Sequence, residues 1–300
     1  MTEASGSFSG VLHRRIFWRS WTPDDGPARA VIALVHGLGE HSGRYDHAVA
    51  RLVGEGYAVH AVDHRGHGRS DGPRAFIESM DNVVADVDTL VDRAVAAQPG
   101  VPVFMLGHSM GGLIALRYAL AHQERLAGLI LSAALAQLDA VPKPLELVGR
   151  ALSVIAPRAP LIAIDPALVS RDPAVVEGYR SDPLVHHGKV PARTAAQLAD
   201  SVASFPTTVG AITVPTLILY GTADGLCPPS GSVMLGDRIG ASDTTVKAYD
   251  GLFHEILNEP ERETVLDDIV TWLAERTGAS APPPETAAAP EAGTAGSSRS

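Results

Sequence analysis

Gly107-His108-Ser109-Met110-Gly111 stands between an apolar run at 101–106 and a helix-length segment at 112–122. A serine hydroxyl is a weak nucleophile unless it is exposed, oriented and paired with a base. The G-x-S-x-G pattern in a strand–turn–helix setting supplies the first two conditions. Its glycines let the chain pass through a strained bend, so that the oxygen projects from the carboxyl end of a sheet. The Met110 amide opens the following helix and points at any oxyanion forming on an acyl carbon. In such a sheet the partners follow in the order serine, acid, histidine, and of the twelve histidines His122, His186, His187 and His254 come after Ser109. His122 ends a helix, and the 186–187 pair falls in a segment without strands. His254 follows the last strand candidate on a loop and is the expected base. Asp224 closes the strand candidate 216–220 and is the expected acid, holding the imidazole tautomer; Asp250, four residues before His254, is its competitor and suits a turn. A second oxyanion donor is expected from the Leu38 amide, between Gly37 and Gly39 just after the apolar run 31–35.

Other chemistries fit less well. His36 with His41, and His64 with His67, are the only pairs that suggest metal ligands, and neither has the H-E-x-x-H spacing, so no metal is expected. G-x-G-x-x-G and G-K-[ST] are both absent, so no nucleotide cofactor is expected either. His64-Arg65-Gly66-His67-Gly68 reads as a structural loop. Cys227, the single cysteine, lies three residues beyond Asp224, where a thiol is packing or a target for thiol reagents.

The elements that must position these groups show in the hydropathy pattern. Short apolar runs at 31–35, 58–62, 101–106, 129–131, 216–220 and, more weakly, 245–249 alternate with amphipathic segments at 81–97, 111–122 and 261–276. That alternation predicts an α/β fold with a mostly parallel sheet flanked by helices. From 136 to 208 the rhythm breaks into proline-punctuated chain without convincing strands, too long for a loop, and predicts a helical cap inserted between core segments 1–135 and 209–277. Its apolar part, 145–164, either packs on the core or forms an exposed lip for lipid. The stretch 278–300, rich in Ala, Pro, Gly and Ser, is expected to be disordered. Lys plus Arg number 24 against 34 Asp plus Glu, a net charge of -10, which argues against nucleic acid as a partner. One cysteine makes no intrachain disulfide, and neither a signal peptide nor an apolar span is evident, so the expected location is cytoplasmic, with peripheral contact at a membrane left open.

Taken together, 36–45 (HGLGEHSGRY), 63–70 (DHRGHGRS), 107–112 (GHSMGG) and 179–184 (YRSDPL) resemble the bacterial, particularly mycobacterial, monoacylglycerol lipases of the α/β-hydrolase fold. The likeness covers about 11–276. It implies a triad of Ser109, Asp224 and His254, an oxyanion hole of the Leu38 and Met110 amides, and no cofactor. It also implies that Glu40, Arg44 and Tyr179 lie around a glycerol headgroup, although Glu40 and Arg44 equally suit a buried ion pair. The expected substrate is a monoacylglycerol or similar single-chain lipid ester. A lysophospholipase, a broad carboxylesterase, a cofactor-free perhydrolase or haloperoxidase, and a non-catalytic binding protein are the alternatives.

Overall fold

The computed structural model describes residues 1–138 and 143–278. The expected disorder of 278–300 falls, apart from Gly278, outside them. Among the described residues ten strands run in chain order: β1 (Thr2–Ser9), β2 (Arg15–Thr22), β3 (Val31–Val35), β4 (Ala58–Val62), β5 (Val103–His108), β6 (Gly128–Ser132), β7 (Pro160–Ile162), β8 (Val190–Pro191), β9 (Thr216–Gly221) and β10 (Thr244–Tyr249). The helices are α1 (Asp46–Gly54), α2 (Met80–Ala97), α3 (Met110–His122), α4 (Lys143–Ile155), α5 (Pro173–Ser181), α6 (Ala192–Thr208), α7 (Pro229–Arg238) and α8 (Arg262–Arg276).

Eight strands form one sheet in the order β1-β2-β4-β3-β5-β6-β9-β10. From β4 to β10 neighbouring strands are parallel; β1 and β2 are antiparallel additions at the edge. Every residue of β3, β4, β5 and β6 is buried, as a sheet covered on both faces requires. Alternation along β3 divides the core. Val31, Ala33 and Val35 face a cluster with Val87, Leu113, Phe205 and Leu235 from α2, α3, α6 and α7. Ile32 and Leu34 face Leu52 of α1 and Ile269 of α8.

The sequence reading missed β1 and β2. β1 is built from Thr, Glu, Ala, Ser and Gly with a single Phe, residues with little β propensity, and pairing along all of β2 holds it in place. The expectation of no strands in 136–208 is also corrected. β7 and β8 form a short antiparallel pair there, too brief to leave a periodic signal. Between β6 and β9 this stretch carries α4, α5 and α6. α6 is rooted in the core through Leu198, Val202 and Phe205, whereas Leu147, Val148, Val154 and Ile155 of α4 are exposed. These four residues, with Ile162 of β7, give the apolar segment an exposed face. Among the described residues no helix is long and apolar enough to cross a membrane.

Candidate active site

Ser109 sits between β5 and α3 at φ 57° and ψ −121°, a conformation that side-chain-bearing residues rarely adopt. Four backbone hydrogen bonds hold it there. Its N–H donates to Ser132 O (3.0 Å), and its carbonyl accepts from Gly112 N (2.9 Å), Leu113 N (3.2 Å) and Leu135 N (3.0 Å). The bend requires glycine at 111, where a Cβ would fall 1.9 Å from the Val35 carbonyl oxygen. Helix α3 can therefore start against the end of β3 and lift the half-buried Ser109 to the sheet's carboxyl edge.

His254 lies on the loop after β10 and is buried; its Nδ1–H donates to Asp224 Oδ2 at 2.8 Å. Asp224 follows β9, and its other oxygen accepts from the Leu226 (2.8 Å) and Cys227 (2.9 Å) amides. Burial would raise the Asp224 pKa, but the His254 charge and hydrogen bond and the two amides hold it below the usual value. Burial would lower that of His254, yet the Asp224 charge and hydrogen bond outweigh it, and the imidazole pKa lies above its ordinary 6.5. Asp250 is exposed and accepts instead from Thr222 Oγ1 (3.2 Å), a turn contact. Of the other histidines, His122 packs on Tyr118, while His186 and His187 bond backbone carbonyls within the insertion.

Ser109 and His254 line the same pocket, though the serine oxygen is turned toward Cys227 Sγ at 3.9 Å rather than hydrogen-bonded to the imidazole. A rotation about the serine χ1 axis is the adjustment such resting geometries need. Burial, then the Asp224 charge, drive the Cys227 pKa well up, so the group is a neutral thiol rather than a reactive thiolate. Among the described residues neither the Leu38 nor the Met110 N–H has a hydrogen-bond acceptor, and both residues line the pocket beside Ser109. Two unspent donors beside a serine hydroxyl are what a developing oxyanion needs.

The loop bearing Leu38 is pinned from beneath. Glu40 Oε1 accepts from the Gly37 N–H (2.6 Å) and the Tyr45 hydroxyl (2.6 Å), while Oε2 accepts from Arg44 (3.0 Å). Arg44 forks onto both oxygens of Glu255 at 2.6 and 2.8 Å, and its guanidinium lies 4.8 Å from the centre of the Tyr179 ring. Burial would lower the Arg44 pKa; Glu255 and then Glu40 raise it well above the ordinary value. Glu40, Tyr179 and Glu255 border the pocket, whereas Arg44 stands behind them. Below, His36, His64 and His67 stack at 4.2 to 6.3 Å and bond backbone carbonyls, and burial drives all three to the neutral form, His67 down to about 3. Among the described residues no cluster of three or more His, Cys, Asp or Glu side chains is arranged to hold a metal ion.

The pocket holds about 940 Å³ of empty space, part of it open to solvent. Leu135, Leu138, Ile162, Ile164, Leu198 and Leu226 give it an apolar wall.

Residues 26–261 match the family described as serine aminopeptidase, S33. The chain is 42% identical to a monoacylglycerol lipase of Mycolicibacterium smegmatis, covering 91% of this chain and 97% of that one. It is 36% identical to a monoglyceride lipase of Homo sapiens, covering 89% and 90%. The crystal structure of the Paleococcus ferrophilus monoacylglycerol lipase superposes with a TM-score of 0.77 at 32% identity, over 92% of this chain and 100% of that one. The chain belongs to the monoacylglycerol lipase family of α/β-hydrolases.

Within this lipase family frame, sequence reasoning missed two side chains at the site. His108, in the middle of the elbow, packs on the His254 ring at 4.8 Å between centroids, and its Nδ1 lies 3.2 Å from Ser132 Oγ. Burial, then the His254 charge, push it down to about 3, so it stays neutral beside the base. Glu255 is the other. Its adjacency to His254 was the one available signal, since its partner Arg44 lies 211 residues away.

Proposed function

We propose that the protein is a monoacylglycerol lipase, releasing glycerol and a free fatty acid through an acyl-enzyme. The observation that carries this is the 2.8 Å His254–Asp224 pair facing, in one apolar pocket, a serine held in the strained elbow conformation. Ser109 attacks the ester carbonyl as His254 takes its proton; the oxyanion is held by the Leu38 and Met110 amides. His254 then protonates the departing glycerol oxygen and later activates water against the acyl-enzyme. Segment 136–208 serves as the cap over core segments 1–135 and 209–277, and its apolar lining receives the acyl chain. Glu40 and Tyr179 meet the glycerol, with Arg44 behind them. The charge balance supports a neutral headgroup: Arg44 is spent on two carboxylates, and the described residues that line the pocket include no Lys or Arg for a phosphate. The exposed α4 face suits a peripheral dock on a lipid surface from the cytoplasm, which would place the substrate at the pocket mouth.

Fatty-acid release from monoacyl-, diacyl- and triacylglycerol of one chain length, with a lysophospholipid and a Ser109→Ala control alongside, tests the reading. Preference for monoacylglycerol, abolished in the variant, is expected. Equal or faster turnover of the lysophospholipid would leave the triad standing and sink the headgroup assignment.

A further inference from the structure

We propose that Glu255 is a positioning residue that locks the oxyanion loop to the loop of the base, through Arg44 and Glu40. The inference rests on the triad and oxyanion hole proposed above. Glu255 is the residue after His254, so its backbone is part of the segment that fixes the imidazole. Its own N–H donates to Val169 O (2.8 Å), and its carbonyl and Oε2 accept from the Asn258 amide (2.7 Å) and side-chain nitrogen (2.9 Å). These contacts hold the carboxylate in one direction, toward Arg44.

From there the connection runs through charged side chains to a backbone amide. Both Glu255 oxygens accept from the two ends of one guanidinium, a planar fork that sets angle as well as distance. The same Arg44 donates to Glu40 Oε2, and Glu40 Oε1 grips the Gly37 N–H, one residue before the Leu38 donor. Gly37 has no room to drift: a Cβ there would meet Glu40 Oε1 at 2.7 Å and the Ser109 Cβ at 3.2 Å. Glu40 and Glu255 are buried and the Arg44 side chain between them is only 10% exposed, so little water competes for these bonds. Donor and base thus share one rigid brace, although they lie on loops far apart in the chain. Without Glu255, Arg44 keeps its single hydrogen bond to Glu40 and its contact with the Tyr179 ring but loses the fork that sets its angle, and the Leu38 amide is held less tightly at its distance from the reacting carbonyl. A misplacement of about 1 Å in a reacting site costs on the order of 100-fold.

Glu255 also borders the pocket, so contact with the glycerol is the competing role, and the two predict different kinetics. The test compares wild type, Glu255→Gln and Glu255→Asp on monoacylglycerol and on p-nitrophenyl butyrate, which has no glycerol. Ser109→Ala on both esters separately establishes the triad reading. Positioning predicts that Glu255→Gln, of the same shape but without the charge, lowers kcat about 10-fold or more on both esters by a common factor, with KM changed less than about twofold. Glu255→Asp, one methylene short of the fork, does the same or worse. A loss confined to monoacylglycerol and expressed in KM would overturn the proposal in favour of headgroup contact. Unchanged kcat on both esters in a normally folded Glu255→Gln variant, with wild-type activity dependent on Ser109, would overturn it outright.

Discussion

The carboxyl edge of the sheet and the 136–208 insertion are both rich in apolar residues, yet they spend them in opposite ways. Beneath the edge, β3, β4, β5 and β6 are buried throughout, and every turn that carries Ser109, Asp224 or Leu38 is tied by several short hydrogen bonds. In the insertion, α4 leaves Ile155 82% exposed, the strands are two and three residues long, and the anchorage is carried by α6. Groups that must meet within tenths of an ångström stand on the part that cannot relax. The part proposed to receive an acyl chain of variable length is built with fewer ties.

This contrast can be broken in several places. The largest effect is expected from Ser109→Ala, which should cut ester turnover by on the order of 10⁴ or more while leaving the melting curve in place. Phe205→Ala, in the core-facing root of α6, should cost about 3–5 kcal/mol in a denaturant titration; a loss below about 1 kcal/mol would mean that the insertion is not anchored there. The acid limb of kcat/KM should have its midpoint above pH 6.5, because the Asp224 carboxylate favours the protonated imidazole and the base is lost as protons bind. A midpoint below 6.5 would contradict a tight Asp224–His254 pair. Ile155→Ser should change stability by less than about 0.5 kcal/mol, being surface, yet weaken sedimentation with neutral lipid vesicles. Undiminished vesicle binding would remove α4 from the lipid contact.

The same contrast explains what could be read from the sequence. β3 and β4 emerge with their observed ends, because strands covered on both faces must be unbroken apolar runs with turn residues at their limits. Ser109 and Asp224 were legible as candidates because each lies just beyond such a run, where the sheet delivers side chains to a common edge, whereas His254 follows the half-exposed β10 and was placed by chain order. β1 escaped because its place is set by β2 rather than by its own serines and glycines, and β7 and β8 because three residues carry no period. The Glu40–Arg44 half of the brace was legible, since two opposite charges four residues apart suit an ion pair, and the structure forms it at 3.0 Å. Its other end escaped, because nothing near Glu255 announces a partner 211 positions earlier.

That brace has a consequence for the product. Two carboxylates share one guanidinium, so the polar end of the pocket carries an excess negative charge next to the place where the ester carbonyl is hydrolysed. The ester that enters is neutral, but the acid that water releases ionises and becomes an anion facing like charges of the same low-dielectric wall. Cleavage at the proposed site is therefore expected to turn a tolerated guest into a repelled one. The reverse esterification would have to bring a carboxylate back against that field.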